Sequence, residues 1–148
     1  MSPQQEIEMI LARQLASYLI MPIFVVDPGG TLVFYNEPAE LILGRRFEET
    51  GAMPMREWST IFEPTDEAGS PIAPAELALA IALAEQRPAH RAFWIRGLDN
   101  VHRHIEATCV PLVGQAQSFL GALAISWEVA RCCASQSGAA ADLWRRQA

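Results

Sequence analysis

The chain has 148 residues, of which 51% are hydrophobic, 17 are acidic and 11 are arginine, with no lysine. Its net charge of −6 excludes the strongly basic surface that nucleic-acid binding requires. A chain of this length buries about 70% of its unfolded surface, so one domain is expected to be stable without disulfides.

An amphipathic helix is predicted within residues 1–21. Ser2, Pro3 and Gln5 provide a serine cap, a proline at the first helical position and a glutamine three residues after the cap. A hydrophobic residue then recurs at every fourth position, until Pro22 ends the pattern. The residues of this stripe are Ile7, Leu11, Leu15 and Leu19. Such a stripe either folds back on the chain's own sheet or pairs with a second subunit.

A β-hairpin and a short helix are predicted next. Residues 23–26 and 31–35 are β-rich, and the segment DPGG between them is typical of a turn. Asn36 caps a helix that runs to Leu43 and ends at Gly44. One or two helical turns are predicted around residues 56–62, followed by a loop over 65–74.

The alanine-rich segment 75–86 predicts the long helix of the domain. Its large and small residues alternate as in a strand, but alanine is the best helix former. Pro74 and Glu76 also suit a first helical turn.

Three strands are predicted after Pro88, over residues 89–96, 101–112 and 118–128. Alternation in the last strand assigns one apolar set to each face of the sheet. One set is Phe119, Leu123, Ile125 and Trp127, and the other is Leu120, Ala122 and Ala124. Both faces of the sheet therefore require a cover.

Three segments follow from this pass: an N-terminal helix (1–21), a core domain (22–129) and a C-terminal tail (130–148). The tail has no second core, so we expect no effector domain in this chain. Cys109 lies in an apolar run and Cys132-Cys133 in the tail, which is typical of a reducing compartment, and we expect a cytoplasmic protein. Residues 107–127 are uncharged, but a proline and glycine in their middle favour two strands over a membrane span.

The order of these elements and several motifs resemble the Per-Arnt-Sim (PAS) family of sensor domains. Residues 24–36, FVVDPGGTLVFYN, resemble the family's opening hairpin, in which the strands end in Asp and Asn. DEAGSP at 66–71 and FLGA at 119–122 are similar to later family motifs. The resemblance covers residues 22–129, although Glu128-Val129-Ala130 replaces the Asp-Ile-Thr that ends many members.

The resemblance implies an α+β fold, with a five-stranded antiparallel sheet, short helices and one long helix on one face, plus the N-terminal amphipathic helix. It also implies a role in sensing and signal transduction, through a small ligand, a signalling partner such as a kinase or cyclase, or both. PAS domains use an N-terminal helix for pairing, so we expect a homodimer with the stripe at its interface.

The implied ligand site lies between the long helix and the sheet. Its expected lining residues are Phe24, Phe34, Leu77, Ile81, Phe93, Ile105 and Ile125. Alanines opposite these side chains leave room for a cavity. The sequence does not distinguish a cavity from a filled core, and the filled core is the preferred interpretation.

Few residues are suited to a cofactor. Some PAS sensors hold haem through a histidine near the long helix, which makes His90 the candidate here, although an ordinary strand histidine is preferred. Flavin is not expected, because the light-sensing motif Asn-Cys-Arg is absent. His102, His104 and Glu106 have a spacing that can hold a metal, but a structural cross-strand pair is preferred.

No phosphate loop, nucleophile elbow or paired metal motif is present in the sequence, so we do not expect an enzyme. The alternatives to a sensor are a ligand-free interaction module and, less favoured, a small cup-fold enzyme. Neither a nucleic acid nor a membrane is expected as a partner.

Overall fold

A computed structural model describes residues 2–129, and the predicted tail (130–148) with Cys132 and Cys133 lies outside the described residues. The helices are α1 (Pro3–Tyr18), α2 (Glu37–Leu43), α3 (Phe47–Thr50), α4 (Met55–Ile61) and α5 (Ala78–Glu85). The strands are β1 (Ile23–Val26), β2 (Leu32–Tyr35), β3 (Ala89–Arg96), β4 (His102–Val113) and β5 (Phe119–Glu128). They form one antiparallel sheet in the order β2-β1-β5-β4-β3. Within residues 2–129 no helix is long and apolar enough to cross a membrane.

Local sequence signals placed most of these elements correctly. α1 begins with the predicted capping box, in which Ser2 and Gln5 each accept a hydrogen bond from the other's backbone N–H. α2 has Asn36 as its N-cap and ends at Gly44 in the left-handed conformation. β1 and β3 have the predicted bounds. Each of these features depends on residues that are close together in the chain, so the local sequence is sufficient to predict it.

The predicted long helix over 75–86 is interrupted. A 3₁₀ turn at Pro74–Glu76 precedes α5, and Leu77 between them is extended, with φ −68° and ψ 140°. The Leu77 side chain is buried in the core, with 6% of its surface exposed. The prediction of one continuous helix was wrong at its start, because packing of Leu77 outweighs the helix propensity of its neighbours.

The sheet separates two apolar cores. The larger core lies between the sheet and helices α2–α5, and contains the fully buried side chains of Tyr35 and Met53. The smaller core lies between the sheet and α1. Its buried residues are Met9, Ala16, Ile23, Val25 and Leu120. Both faces of the sheet are covered, as their apolar character requires.

α1 packs on its own sheet, but not through the predicted stripe. Met9 and Ala16 are buried against the sheet, and Glu8 accepts a hydrogen bond from the backbone N–H of Gln115 at 3.1 Å. The stripe residues Ile7, Leu11, Leu15 and Leu19 are each at least 41% exposed. α1 therefore covers the sheet with one face and leaves its more hydrophobic face outside.

The alternation of β5 side chains between the two faces of the sheet is interrupted by a bulge. The pairing of β5 with β4 shifts at Leu112/Val113, and Gly121 has φ 120°. Leu120, Leu123 and Ile125 pack under α1, whereas Phe119, Ala122 and Ala124 pack on the other side. The predicted faces of Phe119 and Leu120 were wrong, because strict alternation holds only in a strand without a bulge.

Candidate functional site

An apolar cavity of about 100 Å³ lies between the sheet and the helices of the larger core. Its lining residues are Phe24, Leu32, Ile42, Leu43, Trp58, Phe62, Pro64, Leu77, Ala78, Leu79, Phe93, Ile95, Ile105, Ala107, Cys109, Ala124 and Ser126. The sequence analysis preferred a filled core between the long helix and the sheet, and this interpretation was wrong at this position. Ala78, Ala107 and Ala124 are too small to occupy the space between the helix and the sheet.

Four of the seven predicted lining residues surround this cavity, namely Phe24, Leu77, Phe93 and Ile105. Phe34 and Ile125 instead pack under α1, on the opposite face of the sheet. Phe34 pairs with Val25 of β1, and residues paired across strands share a face, which places the Phe34 ring beneath α1. Ile81 is half-buried on α5 and lies outside the lining.

The predicted lining contained no residue of α2 or α4, which supply Ile42, Leu43 and Trp58 to the cavity. The Trp58 indole N–H donates to the carbonyl of Gly30 at 2.8 Å, which fixes α4 beside the hairpin turn. Trp58 and Phe62 are four residues apart and so share a helix face. This spacing was a usable signal, but the segment 45–64 lacked the caps and periodicity that define a helix from the sequence.

Every lining side chain of the cavity is uncharged. Cys109 is 1% exposed, and burial raises the pKa of its thiol to about 12, so the thiol is neutral at physiological pH. Ser126 is 3% exposed and carries a hydroxyl. A charged molecule would lose its hydration without gaining a partner, so this site suits a neutral molecule.

An ion pair holds the end of α2 that supplies Ile42 and Leu43 to the cavity. The Arg103 guanidinium donates to both carboxylate oxygens of Asp99, at 2.9 and 2.6 Å, and to the carbonyl of Ile42 at 3.0 Å. Hydrogen bonding from Arg103 lowers the pKa of Asp99 from 3.8 to about 2. The turn between β3 and β4 is thus attached to the end of α2.

The lowered pKa of Asp99 predicts a loss of stability in acid. The charged pair stabilises the fold above pH 3.8, and this contribution is lost as the pH falls through about 2. We expect the free energy of unfolding to fall between pH 4 and pH 2 by roughly 1 kcal/mol more in the wild type than in Asp99→Asn, after allowance for solvent screening. Urea titrations across this range measure the difference, and parallel pH profiles for the two proteins would contradict the assignment.

The histidines lie on the sheet face opposite the cavity. Phe93 and Ile95 line the cavity, so the even-numbered residues of β3 face away from it. The His90 Nδ1 is 2.8 Å from the hydroxyl of Thr108, and the His104 ring stacks on Trp94 with centroids 4.8 Å apart. His90 therefore cannot bind a haem inside this cavity. Among residues 2–129 no group of three potential ligands is placed to hold a metal ion.

A five-stranded antiparallel sheet in the order β2-β1-β5-β4-β3, with a helix-covered cavity on one face, is the architecture of a PAS domain. The family model described as PAS fold matches residues 18–131, and the chain belongs to this family. PAS domains are in general sensory or signalling modules. The cup fold required by the enzyme alternative is thus not the fold of this chain.

Solved structures resemble the chain at the level of the fold. The PAS domain of BvgS from Bordetella pertussis has 17% identity and a TM-score of 0.63, covering 94% of this chain and 98% of that chain. A LOV protein from Rhodobacter sphaeroides has 20% identity and a TM-score of 0.65, covering 94% and 76%. A PAS domain from Colwellia psychrerythraea has 18% identity and a TM-score of 0.57, covering 84% and 99%. No curated protein matched the sequence.

Proposed function

We propose that this PAS domain is a cytoplasmic sensor that binds a small neutral molecule in its apolar cavity and signals as a homodimer to a partner such as a kinase or cyclase. The observation that carries the proposal is the cavity itself, about 100 Å³ in volume, with an aliphatic and aromatic lining. A cavity of about 150 Å³ with a similar lining is known to bind benzene. The expected ligand is therefore a molecule about the size of a single small ring, far smaller than haem or flavin.

Filling the cavity is expected to abolish ligand binding. Ala124→Leu adds three carbon atoms inside the cavity, whereas Ala92→Leu makes the same change on the opposite face of the sheet. Benzene and cyclopentane are expected to raise the melting temperature of the wild type and of Ala92→Leu, because a ligand that binds only the folded state stabilises it. In Ala124→Leu this rise is expected to disappear while the protein stays folded. The proposal fails if neither compound stabilises the wild type.

The homodimer part of the proposal rests on the outer face of α1. Eight of the twelve large hydrophobic side chains that are exposed in the described chain lie within residues 7–21. They include the predicted stripe, and Leu15 and Ile20 are 64% and 90% exposed. A contiguous apolar surface of this kind is typical of an interface, and a twofold pairing would bury the same stripe on both copies.

Charges on this face are expected to dissociate the dimer. Leu11→Glu and Leu15→Glu should each weaken dimerisation at least about tenfold, because a buried leucine contributes about 2 kcal/mol. Leu41→Glu is the matched control, since Leu41 is 74% exposed but lies on α2. Sedimentation velocity measures the association of all four proteins. A wild type that stays monomeric at high micromolar concentration would contradict the homodimer.

A ligand-free interaction module is the second candidate, and the same exposed face of α1 favours it. In that case the dimer forms and responds to Leu11→Glu, but no small molecule stabilises the protein. The two experiments together separate the sensor from the interaction module.

A further inference from the structure

Ser126 is the one hydroxyl-bearing residue among those that line the cavity. It lies on β5, two positions beyond Ala124, and its side chain faces the helices while its backbone N–H donates to the carbonyl of Pro22. The residue is 3% exposed. No side-chain hydrogen bond joins this hydroxyl to another residue among 2–129, and the residue borders the cavity.

A hydroxyl that borders an apolar cavity without a protein partner is available to a molecule inside that cavity. Such a hydroxyl can hydrogen-bond the polar group of a bound molecule, whereas an alanine at the same place would present only apolar atoms. Ala107 is paired with Ser126 across the two strands, and it shows that a residue without a polar side chain fits at this level of the sheet's cavity face. Among the lining residues, Ser126 is therefore the one whose hydroxyl is placed to meet a polar group inside the cavity.

We infer that Ser126 binds the polar group of the ligand, and that the ligand is a neutral molecule about the size of a benzene ring with one hydroxyl or carbonyl group. This inference rests on the proposed function of the cavity. The apolar lining receives the hydrocarbon part of the molecule, and Ser126 either donates to its oxygen or accepts its proton. Carboxylates and amines are excluded because no charged side chain lines the site.

Phenol and fluorobenzene form a matched pair of probes, since they have nearly the same size and only phenol donates a strong hydrogen bond. Isothermal titration gives the Kd of each for the wild type and for Ser126→Ala. We expect the substitution to weaken phenol about tenfold relative to fluorobenzene, in line with the loss of one buried hydrogen bond. Ser126→Cys keeps the volume of the side chain but has a weak donor, so its Kd for phenol relative to fluorobenzene is expected to lie between those of the wild type and Ser126→Ala. Benzoate is expected not to bind.

The outcomes separate this inference from the proposed function. If fluorobenzene binds and the ratio of the two Kd values is the same in the wild type and Ser126→Ala, the cavity binds ligands but Ser126 does not select them. If benzoate binds as tightly as phenol, the assignment to neutral molecules is wrong. If none of the probes binds, the proposed ligand site fails and the inference fails with it.

Discussion

Asn36→Ala is expected to lower the free energy of unfolding by about 4 kcal/mol. The Asn36 side chain is 2% exposed, and its Oδ1 accepts hydrogen bonds from the backbone N–H groups of Ile23 at 2.9 Å and Ala39 at 3.2 Å. Its Nδ2 donates to the carbonyls of Ala16 at 2.9 Å and Met21 at 2.8 Å. Alanine would leave these buried backbone groups without partners. Urea unfolding followed by tryptophan fluorescence measures the change, and a loss below about 1 kcal/mol would contradict this account.

The two halves of the Asn36 side chain have separate roles, and Asn36→Asp distinguishes them. The carboxylate keeps the acceptor for Ile23 and Ala39, but it cannot donate to the carbonyls of Ala16 and Met21. We expect the sheet to remain folded while α1 separates from it. Hydrogen exchange should then accelerate in residues 8–18 and stay slow in β4 and β5. Equal acceleration in both regions would show that α1 is not attached through this amide.

Gly121→Ala is expected to cost at least about 4 kcal/mol of stability, the second of the two largest effects. Gly121 has φ 120°, and an added Cβ would overlap the carbonyl oxygen of Val26 in the neighbouring strand. The strain has two sources, the backbone conformation and the collision with β1. Because the bulge at Gly121 turns Leu120 towards α1, relief of the strain would also disturb the smaller core.

Gly69→Ala is the matched control for this prediction. Gly69 also has a positive φ, 84°, but no atom lies within 4 Å of the position that its Cβ would take. Only the conformational cost applies there, about 1 kcal/mol. Comparable losses at the two positions, measured by urea unfolding, would show that contact with Val26 contributes nothing.

Asn36 also connects the candidate site with the outer face of α1. The preceding residue, Tyr35, packs against the cavity residue Phe24 with ring centroids 6.0 Å apart. Asn36 then binds the carbonyl of Ala16 near the end of α1. In the proposed sensor, a ligand that displaces Phe24 would act on α1 through this short path, which is consistent with a signal carried by the helix pairing.

The candidate site could be predicted only in part. Phe24, Phe93 and Ile105 were found because strand alternation and the family resemblance place them towards the long helix. Trp58 was missed, because its contribution depends on a hydrogen bond to Gly30, which is 28 residues away in the chain. Ser126 was missed, although the alternation of β5 places it on the same face as Ala124, because Ile125 was chosen as the β5 residue of the lining.

The order of the five strands, the capping of α1 and α2 and membership of the PAS family could be predicted from the sequence, because these features depend on signals within a few residues of one another. Three features required the folded chain: the face of α1 that meets the sheet, the break in the alternation of β5 at Gly121, and the cavity beside Ala124. Those features depend on the sizes and backbone positions of residues far apart in the chain, and close packing settles them jointly.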